Sequence, residues 1–306
     1  MTALTHLVTP EEDGLTAERL FRTCLGLSRH MLSRLKFTGG LTLDGQQVYT
    51  TTACRAGQTI RAEFPEAAEA WPVLRGHGSE PKVLYEDGHL MVIDKSAPLA
   101  TLASPRGDGD SLEAAVYHHF GEPERFCFRP VSRLDKGTSG LMAVALHPQA
   151  QAALQKQLHT PDMIRRYLAV TDGTPPAEEG TIDRPIGKIS PDGVKRAVMP
   201  GGKNAITHYR LIHTDGRRSL LLLVLSTGRT HQIRVHLSAV GCSVTGDYLY
   251  GTPLEELSGR FALHSCSLTL KHPLTGKKLA WESPLPKVLT ALLPGLPPSL
   301  AVPPKE

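Results

Sequence analysis

The block Arg133-Leu134-Asp135-Lys136-Gly137-Thr138-Ser139-Gly140 is polar and turn-forming, and it runs directly into the apolar stretch Leu141 to Leu146. A carboxylate at the mouth of a sheet, flanked by bases, can be held ionised and aimed at a substrate. The same spacing of Arg133 and Asp135 also suits a turn cap or a structural salt bridge, so its meaning depends on the company it keeps. A second block, Thr227 to Leu237, follows the apolar run Leu220 to Leu225 and turns into a helix with Ile233, Leu237 and Val240 as its inward stripe. Arg229 stands at the strand-to-helix corner, from where it could reach a site carboxylate. His231 and His236 are five apart, the wrong spacing for two metal ligands on one helical face. In a third block, Arg165 to Val170, Tyr167 starts a strand behind two bases, either as a rim aromatic or as part of a site.

The elements that must position these residues form an α+β pattern. From Val83 onward short β-rich runs (Val83 to Tyr85, Leu90 to Asp94, Leu141 to Leu146, Tyr167 to Thr171, Leu220 to Leu225, Ala262 to Leu270) alternate irregularly with loops and a few helices, among them Gln149 to Leu158. This suits a mixed, mainly antiparallel sheet better than a βαβ repeat. No glycine-rich phosphate loop is present, so nucleotide-driven chemistry has no support. Ahead of this domain, Ser28 caps an expected helix to about Phe37 that ends at Gly39-Gly40, and residues 41–50 read as two short strands about Asp44-Gly45. The expected organisation is a flexible N-terminus at 1–14, a small α/β domain at 15–64, a linker at 65–80, the large domain at 81–290 and a Pro-rich tail at 291–306.

Composition bounds the partners. Of 306 residues, 40% are hydrophobic and 21% charged, and the longest apolar runs reach six residues, where a bilayer-spanning helix needs about 20. A start carrying Glu11, Glu12 and Asp13 lacks the features of a secretory signal, so cytoplasmic residence is expected. No two of the five cysteines lie closer than 24 positions, which announces neither zinc nor a disulfide framework. The formal charge of +4 is concentrated in residues 15–64, where seven bases stand against three acids. A localised excess of this kind suits a polyanion-binding module, or a merely solvated basic face.

Together the blocks resemble the RluA-type pseudouridine synthases. The family signature of His-Arg-Leu-Asp running into Thr-Ser-Gly, a Tyr-x-Ala-Val strand and Gly-Arg-Thr-His-Gln-Ile-Arg is matched in order by Arg133 to Gly140, Tyr167 to Val170 and Gly228 to Arg234. Gly246-Asp247-x-x-Tyr250-Gly251, Leu263-His264 and Val83 to Asp87 also match, so the resemblance spans roughly residues 81–285. Residues 15–64 resemble the small RNA-binding domain, of αL type, first known from ribosomal protein S four. Two departures stand out: Ser132 replaces the usual histidine, and Lys95-Ser96-Ala97-Pro98 replaces a Lys-Pro-x-Gly turn.

The resemblance implies an isomerase that converts uridine to pseudouridine in structured RNA, above all large-subunit ribosomal RNA, with transfer RNA as the other substrate class. No cofactor and no metal are implied, and a monomer is expected. Asp135 would be the essential carboxylate, attacking the anomeric carbon or removing the neighbouring sugar proton. Arg229 would lie against it and Tyr167 would stack on the uracil. Arg133 would fill the place vacated when the base is extruded, and Leu263 would wall the base pocket. Arg19, Arg22, Arg29 and Arg34 would contact phosphates. The rival readings are a non-catalytic RNA-binding or ribosome-assembly factor, and an aspartate-dependent hydrolase of small molecules.

Overall fold

The computed structural model describes residues 2–27, 32, 35–36, 39–64, 80–103, 109–123, 126–190 and 193–301. The chain divides into two compact units, Met1–Trp71 and Pro72–Glu306.

In the first unit, strands β1 (Thr2–Leu7), β2 (Leu41–Leu43), β3 (Gln46–Gln47) and β4 (Thr59–Phe64) form an antiparallel sheet in the order β1-β4-β2-β3. Asp44 and Gly45 both have positive φ, 50° and 82°, and this is the backbone that a two-residue hairpin turn of matching twist requires. Helix α1 (Ala17–Thr23) is capped by Thr16, whose hydroxyl accepts the Arg19 N–H. Ala17, Leu20 and Phe21 are buried with Leu32, Leu35, Leu41 and Ile60, while Arg19 and Arg22 lie on the exposed face of α1. The expected helix from Ser28 to Phe37 lies largely outside the described residues, as do Arg29, Arg34 and the linker 65–79.

Residues 1–14 are not the flexible segment expected. β1 is an edge strand paired with β4 from Thr2 opposite Phe64 to Leu7 opposite Thr59. A capping box at Thr9 and Glu12 then fixes the following turn. The Glu12 carboxyl is lowered to about 2, first by the Thr9 backbone N–H and then by the side chains of His6 and Cys24. A backbone ladder holds this strand rather than a buried face, so it shows no hydrophobic alternation.

The second unit is built on a nine-stranded mixed sheet. Its strands are β5 (Lys82–Glu86), β6 (Leu90–Lys95), β7 (Ser139–Ala145), β8 (Ile164–Asp172), β9 (Glu179–Asp183), β12 (Ile206–Thr214), β13 (Arg218–Leu225), β14 (Leu263–Lys271) and β15 (Lys278–Glu282). The order is β5-β6-β7-β14-β8-β13-β12-β9, with β15 pairing β14; only β7 and β14 run parallel. Two short strands, β10 (Ile186–Lys188) and β11 (Arg196–Val198), form a separate hairpin. The described α-helices of this unit are α2 (Leu112–His119), α3 (Pro148–Gln157), α4 (Gln232–Ala239) and α5 (Lys287–Thr290).

Both faces of the central strands are covered. Met91, Ile93, Met142 and Val144 join one core with Leu168 and Leu221, while Leu90, Val92, Leu141 and Ala143 join another with Leu154 and Leu270. Burial on two sides is why these strands read as unbroken apolar runs. The expected tail is shorter than residues 291–306, because Leu292 and Leu293 are buried in the first of these cores. Among the described residues no helix is long and apolar enough to cross a membrane.

Candidate active site

Asp135 sits in the loop that leads into β7, and the backbone on both sides of it is held by one segment. The Leu134 carbonyl accepts from Thr101 Oγ1 at 2.6 Å, the Lys136 carbonyl accepts from the Leu99 N–H at 3.0 Å, and Leu134 itself is buried. The Thr138 N–H closes the turn on the Asp135 carbonyl at 3.0 Å. Gly137 is required in this turn, since an added Cβ would meet the Phe261 ring at 2.5 Å.

The carboxylate finds its partner on α4. Arg234, 2% exposed, donates from Nη1 to Asp135 Oδ2 at 2.9 Å. Its other edge forms a bidentate pair with the fully buried Asp247, Nε to Oδ2 at 2.6 Å and Nη2 to Oδ1 at 2.8 Å. Asp247 also accepts the backbone N–H groups of Leu249 and Tyr250. The guanidinium lies 4.1 Å from the centre of the Phe261 ring and 5.0 Å from that of Tyr250. Burial works against its charge, but the two carboxylates outweigh this and raise its pKa.

This corrects the expected placement of Arg229. Because α4 begins at Gln232, Arg229 stays outside the helix as an exposed residue of the rim. Its Nε donates to the Asn204 carbonyl at 2.8 Å and its backbone N–H to Gln232 Oε1. The inward guanidinium is Arg234, one position after the apolar stripe residue Ile233. The missed signal was a second turn-borne carboxylate: a buried arginine needs acids on more than one side, and Asp247 in the Gly246 to Gly251 block supplies one. Between the two arginines, His231 adopts a left-handed backbone at φ 59° and directs Nδ1 to the Tyr250 hydroxyl at 2.8 Å. Such a conformation costs on the order of 1 kcal/mol for a non-glycine residue, and here it turns the chain into α4.

Asp135, Tyr167, Arg133 and Arg229 line one cleft of about 460 Å³. A smaller recess of about 60 Å³ adjoins it between Asp135, Arg234, Tyr167, Ile233 and Leu263. The structure therefore brings together all five site residues expected in this domain, and Ser132 lines the same cleft. Tyr167 and Leu263 approach each other because β8 and β14 pair, with Leu263 opposite Ala169. Among the described residues, Asp135 is the one carboxylate in the wall of the larger cleft, against Arg133, Lys136, Arg165 and Arg229, an excess that attracts a polyanion. Burial lowers both cleft histidines, His159 and His231, below the ordinary imidazole value, with nearby arginines adding to it. Among the described residues, the group able to offer a metal three ligands is His6, Glu12 and Cys24 in the first unit, outside the cleft. The cleft can hold a flat heterocycle between an aromatic and an aliphatic wall, beside a carboxylate backed by a guanidinium.

Comparison with known proteins agrees with this arrangement. A family model described as RNA pseudouridylate synthase matches residues 89–239. An uncharacterized RNA pseudouridine synthase of Bacillus subtilis, YjbO, is 36% identical over 276 residues, covering 89% of this chain and 96% of the relative. The ribosomal large subunit pseudouridine synthase D of Pseudomonas aeruginosa is 36% identical over 281 residues, 87% of each chain. The chain belongs to the RluA-type RNA pseudouridine synthases. It is an RNA-modifying isomerase. In structure the synthase is similar to human RNA pseudouridylate synthase domain containing 1, with a TM-score of 0.54 at 26% identity over 67% of this chain and 83% of the human one. The matched family region runs from His89 through α4, so it contains Asp135, Tyr167, Arg229 and Arg234, while Asp247 and Leu263 follow it.

Proposed function

We propose that this synthase isomerises uridines of large-subunit ribosomal RNA and that Asp135 is the reacting carboxylate. The reaction breaks the bond between C1′ and N1, turns the uracil and joins C1′ to C5. N1 gains a proton and C5 loses one, so there is no net redox change and no hydrolysis. Asp135 either attacks C1′ or removes the 2′ proton, and both routes need the carboxylate free to approach the sugar. The contact of Asp135 with Arg234 at the junction of cleft and recess carries this reading, because it leaves the carboxylate 28% exposed while fixing its position.

Tyr167 and Leu263 would receive the uracil. A stacked uridine must first leave its helix, at a cost of a few kcal/mol, and Arg133, exposed at the cleft, would occupy the space it leaves. Arg229, on the rim, would contact the RNA close to the flipped nucleotide. Arg19 and Arg22, with Arg29 and Arg34 outside the described residues, would make the first unit a phosphate-binding module like the domain of ribosomal protein S four. Support for the ribosomal substrate comes from relatives named for the large subunit and from the cationic cleft.

The test is incubation of the protein with transcripts of large-subunit, small-subunit and transfer RNA, followed by mapping of pseudouridine. Modification at defined positions of the large-subunit transcript alone is expected. Modification confined to transfer RNA would contradict the substrate, and binding without modification on every transcript would favour the assembly-factor reading.

A further inference from the structure

The segment that holds Asp135 also borders a second cavity, of about 490 Å³, which shares no lining residue with the cleft: Ala100, Thr101 and Leu102 face the cleft, whereas Lys95, Ser96 and Leu99 face this one. Two of its cations, Lys95 and Arg260, form no salt bridge among the described residues, although the charge of Asp135 favours the charged form of Lys95. Lys95 is 1% exposed and its Nζ donates only to the carbonyls of Leu99, at 2.8 Å, and Ser96, at 3.0 Å. Arg260 donates from Nη2 to Ser139 Oγ at 3.1 Å, and its Nε is buried with no hydrogen-bond partner.

The groups around them are neutral or already used. Ser139 Oγ lies 2.9 Å from His264 Nδ1, and His264 Nε2 lies 3.1 Å from the Ser283 carbonyl. That chain suits a neutral imidazole, and burial lowers the His264 pKa to about 4. Among the described residues the acids of the wall are Asp94, held by Lys82 Nζ at 2.8 Å and Ser283 Oγ at 2.9 Å, and the exposed Glu80. Burial lowers Lys95 to about 7 and also lowers Arg260. Enclosed cations without a salt-bridge partner are costly, and an anion entering the cavity would lower that cost. Leu99, Leu112, Leu285 and Pro284 give the wall an apolar part, the exposed Lys287 adds a further cation at it, and the volume falls within the usual range of small-ligand sites.

We infer that this cavity is a second binding site of the synthase, taking a small phosphate monoester with its phosphate at Arg260 and Lys95 and its apolar body against Leu112 and Leu285. Arg260 keeps its charge and a dianion beside Lys95 would favour the charged form of that amine, so the pair matches the charge of about −2 on a monoester better than the single charge of an RNA phosphodiester. The inference stands on this cavity alone and does not depend on which RNA the cleft accepts.

Phenyl phosphate is the probe, titrated calorimetrically into the full chain and into Arg260→Gln, Ser96→Glu and Arg229→Ala. Ser96 is exposed at the cavity wall, so Ser96→Glu supplies an internal carboxylate without disturbing a packed residue. Saturable binding is expected in the wild type, weakened about tenfold or more by Arg260→Gln and by Ser96→Glu and unchanged by Arg229→Ala. Should Arg260→Gln fail to fold, Ser96→Glu alone decides. The inference is overturned if the wild type shows no saturable binding, if Ser96→Glu binds as the wild type does, or if binding is lost in Arg229→Ala and kept in Arg260→Gln. It is equally overturned if Arg260→Gln weakens RNA binding while phenyl phosphate does not bind at all, since the cavity would then serve the RNA backbone.

Discussion

A guanidinium 2% exposed is tolerated only because two carboxylates and the rings of Phe261, Tyr250 and Tyr248 enclose it, so Arg234 and Arg229 should respond differently to truncation. Arg234→Gln leaves Asp247 buried without its bidentate partner and should cost about 3–5 kcal/mol in urea unfolding, with pseudouridine formation abolished. Arg229→Ala removes an exposed side chain and should change stability by no more than about 0.5 kcal/mol. Its effect should appear as a raised KM for RNA with single-turnover chemistry retained; a collapse of single-turnover rate at unchanged KM would place Arg229 at the reacting atoms. Sequence reasoning placed Asp135 and Tyr167 at element ends from turn and strand patterns and took Leu263 from the family resemblance. It chose the wrong arginine because the first residues of α4 were read from motif order, and the direction of a side chain at a helix start depends on where the helix begins.

Among the elements, the parallel seam between β7 and β14 sets the site, joining the strand after Asp135 to the strand that carries Leu263. Gly140, at φ 107°, lies where this seam closes, and an added Cβ would fall onto the backbone of Ser265. Gly140→Ala should therefore destabilise by about 3 kcal/mol or yield insoluble protein, as measured by chemical unfolding or soluble yield. His264 on β14 gives the fold a pH signature. Its pKa is about 4 in the folded protein against an ordinary 6.5, so between these values the unfolded chain binds more protons and stability rises with pH. His264→Gln should flatten the rise in urea midpoint from pH 4 to 6.5, and an unaltered slope would contradict the assignment. The central strands were legible as apolar runs because both faces are buried. β1 was not, since an edge strand held by backbone pairing carries no side-chain period.

At the scale of the whole molecule, the basic excess of residues 15–64 lies in a unit with its own core and sheet. Removing residues 1–64 should weaken RNA binding and flatten its dependence on salt while cooperative unfolding of the remainder persists. A deletion with the wild-type salt slope would take phosphate binding away from that unit. The central claim is that one carboxylate, Asp135, performs the isomerisation. It is tested most directly by single-turnover pseudouridine formation on large-subunit RNA with Asp135→Asn, an isostere that keeps an acceptor for Arg234. Wild-type folding and RNA affinity with product formation lowered by about three orders of magnitude or more is the predicted result. Product formation by Asp135→Asn within about tenfold of the wild type would contradict the account.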